Sequence, residues 1–332
     1  MRQKNFGDRR CTYVVSIADS DARNTDWTSL SPYLSELAVA NCEVVIVDGS
    51  SPEQFEKNST VLRWLGRHVA ASVSSACVNA AGGNAAPVDA VREAMALASC
   101  DKVIIASPAV RYSVADIEAL CAALDVHEVV TPQEYLAPLP WWSAIDAAQL
   151  LVHRAVSHVP EHPRTFGIRR SAVRALVEPE LSQLHPVDDL ESHGAEVWGC
   201  GDLLVRREPA TFGAWLRERP REAAHLFGNP LRTAVLFLLL PLALLLGAFD
   251  GASAVIAFAI TVSLLSVGLA LRGRGGVGMV FPLRACLAAP LAVLERSLTI
   301  YLALAMKLAG PGTVVVPVAD QARAQKRAAS GR

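Results

Sequence analysis

The sequence lacks a charge bias. Its 332 residues carry 31 Lys and Arg against 32 Asp and Glu, a formal net charge of −1. Nothing in that balance marks a nucleic-acid binder, which needs excess cations to neutralise phosphate. Paired cysteines are missing too. Seven are scattered at positions 11, 42, 77, 100, 121, 200 and 286, with no CxxC spacing. An odd, unpatterned set in a long chain suggests reduced thiols in a cytoplasmic setting. The stretch Met1 to Arg10 has no apolar run, so no secretory signal is expected.

What the chain has in excess is apolar residues, at 52%, with a mean hydropathy of +0.30. The excess sits after Leu231. This predicts three parts: a soluble domain over 1–228, membrane helices over 229–310 and a basic tail over 311–332. Thr233 to Phe249 would span ~26 Å as a helix, near the lower limit for crossing a bilayer. Ala252 to Leu271 is long enough to cross, and Asp250-Gly251 supplies the turn between the two. Val277 to Leu308 is apolar again but is interrupted by Arg284, Glu295 and Arg296. Each such charge costs roughly 2.5–3.5 kcal/mol at mid-bilayer. This last segment is either a third and fourth packed element or an interfacial pair of helices. Arg232, Arg272, Arg274 and a tail with Arg323, Lys326, Arg327 and Arg332 flank the spans. The positive-inside rule puts the first domain and the tail in the cytoplasm of a multi-pass inner (plasma) membrane protein.

Before Leu231, strands alternate with helices. Cys11 to Ile17, Glu43 to Asp48, His68 to Val73, Lys102 to Ala106, Glu128 to Thr131, Arg164 to Arg170 and Asp202 to Arg206 read as strands. Helices are expected from Thr25, from Pro52 with a stop at Gly66, from Pro87, from Val114, over Asp146 to Val156, and from His185 towards Gly199. The alternation predicts an α/β domain with a doubly wound, mainly parallel sheet. Such sheets bind ligands outside the carboxyl ends of their strands. Asp48, at the end of an unbroken apolar strand, can accept hydrogen bonds there from a nucleotide base or ribose. Asp48-Gly49 can also be only a turn.

Two motifs fail their context. Gly273-Arg274-Gly275-Gly276-Val277-Gly278 matches GxGxxG but follows no strand. His158-Val159-Pro160-Glu161-His162 matches HxxEH, yet Pro160 breaks the helix a zinc site needs. Asp188-Asp189 can supply a general base that deprotonates an acceptor hydroxyl. It can equally cap the helix that follows.

The order of Val47-Asp48-Gly49, Ser107-Pro108-Ala109-Val110, Asp188-Asp189 and membrane helices resembles the family 2 glycosyltransferases, which have the GT-A fold. Pro132-Gln133-Glu134-Tyr135, Pro140-Trp141-Trp142 and Thr165-Phe166-Gly167-Ile168-Arg169-Arg170 are similar to motifs of bacterial membrane-attached members. The resemblance implies a nucleotide-sugar donor bound at Asp48 and a catalytic base at Asp188 or Asp189, with Asp188 preferred. It implies a lipid-linked or cell-envelope glycan acceptor and contact with membrane lipids. The family's DXD carboxylates, which hold a divalent metal (Mn or Mg), correspond to Ser107, Pro108 and Ala109, of which only Ser107 has a polar side chain. No metal and no cofactor is therefore expected, and Arg111, Arg169 and Arg170 become the cations for the leaving diphosphate. A member that has lost catalysis and serves as a membrane-anchored partner is the other outcome.

Overall fold

The computed structural model describes residues 10–17, 25–68, 73–77, 87–157, 159–160, 163–173, 186–192, 194–225, 227 and 230–309. The HxxEH stretch, apart from Val159 and Pro160, and the basic tail lie outside these. The chain divides into two units, Met1–Thr211 with Leu265–Ala289, and Phe212–Leu264 with Pro290–Arg332.

The first unit is built on eight strands: β1 (Thr12–Ile17), β2 (Glu43–Asp48), β3 (Val73–Cys77), β4 (Lys102–Ala106), β5 (Val110–Arg111), β6 (Val129–Leu136), β7 (Thr165–Arg169) and β8 (Val197–Arg207). Their order in the sheet is β3-β2-β1-β4-β7-β6-β8-β5. β1, β2, β3 and β4 are parallel, as are β6 and β8. β7 runs antiparallel to both β4 and β6, and β5 runs antiparallel to β8. The chain winds outward from β1 to β3, then returns to add β4 on the other side of β1. That reversal leaves a crevice at the carboxyl ends of β1 and β4, where sheets of this kind bind ligands.

The helices of this unit are α1 (Trp27–Val39), α2 (Pro52–His68), α3 (Pro87–Leu97), α4 (Val114–Ala123), α5 (Ser143–Arg154), α6 (Arg170–Val173) and α7 (Pro186–Ser192). Every residue of β2 is buried, and its centre, Val44 to Val47, reads as an unbroken apolar run. Because side chains alternate across a strand, the sheet has two cores. Tyr13, Val15, Val44, Ile46 and Ile104 meet Leu30, Leu34 and Leu37 of α1 and Ile117 and Leu120 of α4. Val14, Val45, Val47, Val103 and Ile105 meet Val91, Ala94 and Met95 of α3 and Val187 and Leu190 of α7. Each fully buried Leu or Ile contributes about 1.5–3 kcal/mol.

Several local readings are corrected. Asp26, not Thr25, caps α1, accepting from Thr28 N at 3.0 Å. α2 passes through Gly66 to His68, so the third strand starts at Val73 rather than ending there. β6 continues through Pro132, beside a register shift between Pro132 and Gln133, the kind of irregularity at which a strand admits proline. The helix after His185 stops at Ser192, and the last strand starts at Val197.

In the second unit α8 (Phe212–His225) precedes α9 (Pro230–Phe249), the first half of α10 (Ala252–Arg274) and α12 (Ala289–Ala309); α11 (Leu283–Leu287) belongs to the first unit. Leu231–Phe249, Ala252–Arg274 and Ala289–Met306 are each long and apolar enough to cross a membrane. Two of the three charges expected to oppose crossing, Glu295 and Arg296, are paired in the fold. Glu295 of α12 lies 3.9 Å from Arg219, and Arg296 lies 3.9 Å from Glu222. Arg219 also pairs with Glu222 at 3.0 Å and lies over the ring of Trp215.

Candidate functional site

The crevice edge is assembled from strand ends. Ile17 pairs with Asp48, and Ala106 with Thr165, so the chain after β1, after β2, after β4 and before β7 shares one edge. Asp48 is 0% exposed. One carboxylate oxygen accepts from Ser50 N at 2.9 Å and the other from Asn58 Nδ2 at 2.8 Å. Gly49 N donates to Ile17 O at 2.9 Å, tying the turn to the end of β1. The structure thus places the Asp48 side chain inside the turn Gly49-Ser50-Ser51, where it sets the turn's shape. Asn58, on the first half of α2, had no signal in the sequence that linked it to Asp48.

Ser107 follows β4 at the same edge. Its N–H donates to Arg164 O at 2.9 Å and its carbonyl accepts from Val110 N at 3.1 Å. Among the described residues no three His, Cys, Asp or Glu side chains are placed to hold a metal ion. Ser107, Pro108 and Ala109 give a divalent cation no carboxylate, so the donor set here does not fit one.

The three expected cations part company. Arg111 is at this edge but is fastened. It pairs with Glu208 at 3.2 Å, donates to Ser29 Oγ at 3.3 Å and to the carbonyls of Pro108 and Val110, and lies 5.2 Å from the centre of the Tyr33 ring. Beneath it, Tyr33 Oη accepts from Tyr112 N at 2.9 Å and donates to Tyr13 Oη at 3.2 Å. Burial pushes the Tyr33 hydroxyl up to about 12, so this group stays protonated at neutral pH. Arg169 pairs with Lys102, at the start of β4, and Arg170 N donates to Asp101 O. Because β7 is antiparallel, both arginines sit at the opposite edge, ~16 Å or more along the strand from Ser107. The strand direction thus sets the backbone of Arg169 and Arg170 at the edge away from Ser107.

Other cations occupy the edge. β8 ends in Arg206 and Arg207, which pair in register with Tyr135 and Leu136 of β6 and with Arg111 and Val110 of β5. Arg207 bonds the buried Glu134 at 2.9 Å, and the other oxygen of Glu134 accepts from Arg164 N at 2.5 Å. Arg206 is half exposed, with Nε on Ala137 O at 3.1 Å. The Arg206-Arg207 doublet is as visible in the sequence as Arg169-Arg170; only the strand directions tell the two apart.

Asp188 lies in the first turn of α7, half-buried, beside Val187, which packs on the face of the sheet that carries Val45, Val47 and Ile105. Asp189 follows on the same turn. Gly167 explains part of the TFGIRR motif structurally: a Cβ there would meet Leu124 Cδ1 at 2.9 Å.

No family model matches the sequence, and no curated protein matches it. Solved structures align with most of the chain. Mannosyltransferase PcManGT from Pyrobaculum calidifontis, in complex with GDP-Man and Mn2+, aligns over 89% of this chain and 88% of its own, at a TM-score of 0.52 and 17% identity. TarS 1–349 of S. aureus, in complex with UDP-GlcNAc, aligns over 88% and 90%, at a TM-score of 0.40 and 12% identity. The chain has the GT-A-like glycosyltransferase fold, a mixed α/β sheet followed by helices long and apolar enough to span a membrane.

Proposed function

We propose that the chain is a membrane-attached glycosyltransferase of the family 2 type. It would move a sugar from a nucleotide-diphospho-sugar to a hydroxyl of a lipid-linked or cell-envelope glycan. The observation that carries this is the carboxyl edge of the sheet, with the crevice between β1 and β4, along which lie the Asp48 turn, Ser107 and four arginines, in a fold shared with a mannosyltransferase over most of the chain. The donor lies across these strand ends, and Asp48 serves the nucleoside through the turn it shapes. The diphosphate lies within the field of Arg111, Arg164, Arg206 and Arg207 rather than on a metal ion. The acceptor oxygen attacks the anomeric carbon, its proton passes to Asp188 or Asp189, and the bond to the diphosphate breaks. The active domain and the tail lie on the cytoplasmic side.

Transfer from a radiolabelled donor to a membrane lipid extract tests the base assignment. Loss of transfer in Asp188→Asn or Asp189→Asn, with donor binding intact, supports it. Unchanged transfer in both variants rejects it.

A second reading is a catalytically inactive homologue that acts as a membrane-anchored binding partner. It is favoured by the full enclosure of the Asp48 carboxylate by Ser50 and Asn58, together with the absence of acidic side chains at Ser107, Pro108 and Ala109. Donor binding without transfer to any lipid extract supports that reading.

A further inference from the structure

We infer that the first unit carries its own bilayer-contacting elbow, made of Trp141, Met279, Leu283 and Leu287, which docks into the headgroup layer of an anionic phospholipid membrane. This rests on the proposal that α10 crosses the bilayer. Met279 is 98% exposed, Leu287 69% and Trp141 67%. Their exposure is built in. Arg274 Nε donates to Phe281 O at 2.7 Å and Nη2 to Gly278 O at 3.0 Å, so the guanidinium braces the turn that holds Met279 outward. Phe281 is buried behind it, and Gly276 takes a positive φ of 81° within the turn. On α11, Ala285 and Cys286 face inward, while Leu283 and Leu287, four apart, share the outer face. Arg284 Nη2 donates to Leu139 O at 3.0 Å, bringing α11 beside the segment that presents Trp141.

The occupant follows from continuity and charge. Met279 follows so closely on Arg274, the end of α10, that it lies no more than about 17 Å from that end. A helix that crosses the bilayer therefore delivers the elbow to its surface. Arg272 and Arg284 are exposed beside it, as a layer of anionic headgroups requires. A Trp with one apolar and one hydrogen-bonding edge suits the same depth. Leu and Met reach the acyl boundary just below it. The close approach of α10 to α5 fixes the elbow in the first unit: a Cβ on Gly273 would stand 1.9 Å from Leu151 O. Docking there would hold the crevice domain against the membrane independently of the second unit.

The test uses the full chain in nanodiscs of phosphatidylcholine and phosphatidylglycerol. An environment-sensitive fluorophore is placed in separate variants at Met279→Cys, at Leu264→Cys on the exposed side of α10, and at Val126→Cys on an exposed turn of the first unit, with labelling of the parent chain subtracted. Nitroxide lipids quench at a shallow or a mid-chain position. The expected result is loss of the Met279 signal, stronger with the shallow nitroxide, with the Val126 signal unchanged. Loss at Leu264 but not at Met279 overturns the elbow and leaves the span standing. Loss at Met279 but not at Leu264 keeps the elbow and rejects the span. Loss at neither rejects both.

Discussion

The hydroxyl of Tyr301 donates to the carbonyl of Phe237 at 2.5 Å. That carbonyl is the one that Pro241 leaves without a helical partner, since proline has no N–H to donate four residues back. The rings of Phe237 and Tyr301 lie 4.6 Å apart, so the contact joins α9 to α12 by packing as well as by the hydrogen bond. A proline within an apolar helix is thereby matched to a tyrosine sixty-four residues later.

Tyr301→Phe should destabilise the second unit by about 1 kcal/mol, the net worth of a typical hydrogen bond, since this acceptor is half-buried. In a Pro241→Leu background the helix supplies its own N–H, and the same substitution should cost much less. Thermal unfolding of the four proteins of this cycle in detergent measures the coupling. Equal costs in both backgrounds would refute it.

The ion cluster makes a separate prediction. Arg219 is buried, with a side chain only 5% exposed, and pairs with both Glu222 and Glu295. Glu295→Ala should cost about 3–5 kcal/mol, because it removes a buried partner and leaves the charge behind. Replacing Arg219, Glu222, Glu295 and Arg296 together by apolar residues of similar volume should recover most of that stability. Unfolding midpoints of the single and quadruple variants decide it.

Asp26 gives a pH dependence of known sign. Hydrogen bonds from the side chain and the backbone N–H of Thr28 hold its carboxyl below the usual carboxylate value. A group depressed in the folded state stabilises fully above its unfolded pKa, and that contribution fades as pH falls through the folded one. Stability of the first unit should therefore drop on acidification below the ordinary Asp range, and Asp26→Asn should flatten that part of the profile. Unfolding followed across acidic pH in both proteins reads the difference.

Arg206→Gln should weaken donor binding by tenfold or more, as expected for loss of a charge-assisted contact worth roughly 1.5–3 kcal/mol. Arg170→Gln should leave binding unchanged, since Arg170 follows β7 at the far edge of the sheet. Competition with a fluorescent nucleotide compares the two. The reverse pattern would contradict the placement of the site.

These contrasts show what a sequence carries and what it does not. β2 is legible because its central residues, Val44 to Val47, are buried on both faces of the sheet and are all apolar. The alternation of elements up to β4 is legible for the same reason, and so is the apolar character of α9 and α10. The direction of β7 is not legible: Thr165–Arg169 has strand character, but only pairing with Lys102 to Ala106 sets which end faces the crevice. Which of the two doublets, Arg169-Arg170 or Arg206-Arg207, lies at the carboxyl edge depends on strand directions that the sequence does not carry. Pro132 hid the second half of β6 because the bulge that admits it is made by the partner strand. The pairing of Asp48 with Asn58, and of Glu295 with Arg219, joins residues whose separation in sequence holds no periodic signal.

The function proposed here stands on metal-free recognition of a nucleotide-sugar at the carboxyl edge of this sheet. Calorimetric titration of the full chain with UDP-, GDP- and TDP-sugars, with and without manganese, tests it most directly. Binding of one donor class is expected, equal in both conditions and weakened by Asp48→Asn. Absence of binding by every donor would contradict donor recognition, and binding that appears only with manganese would contradict its metal-free form.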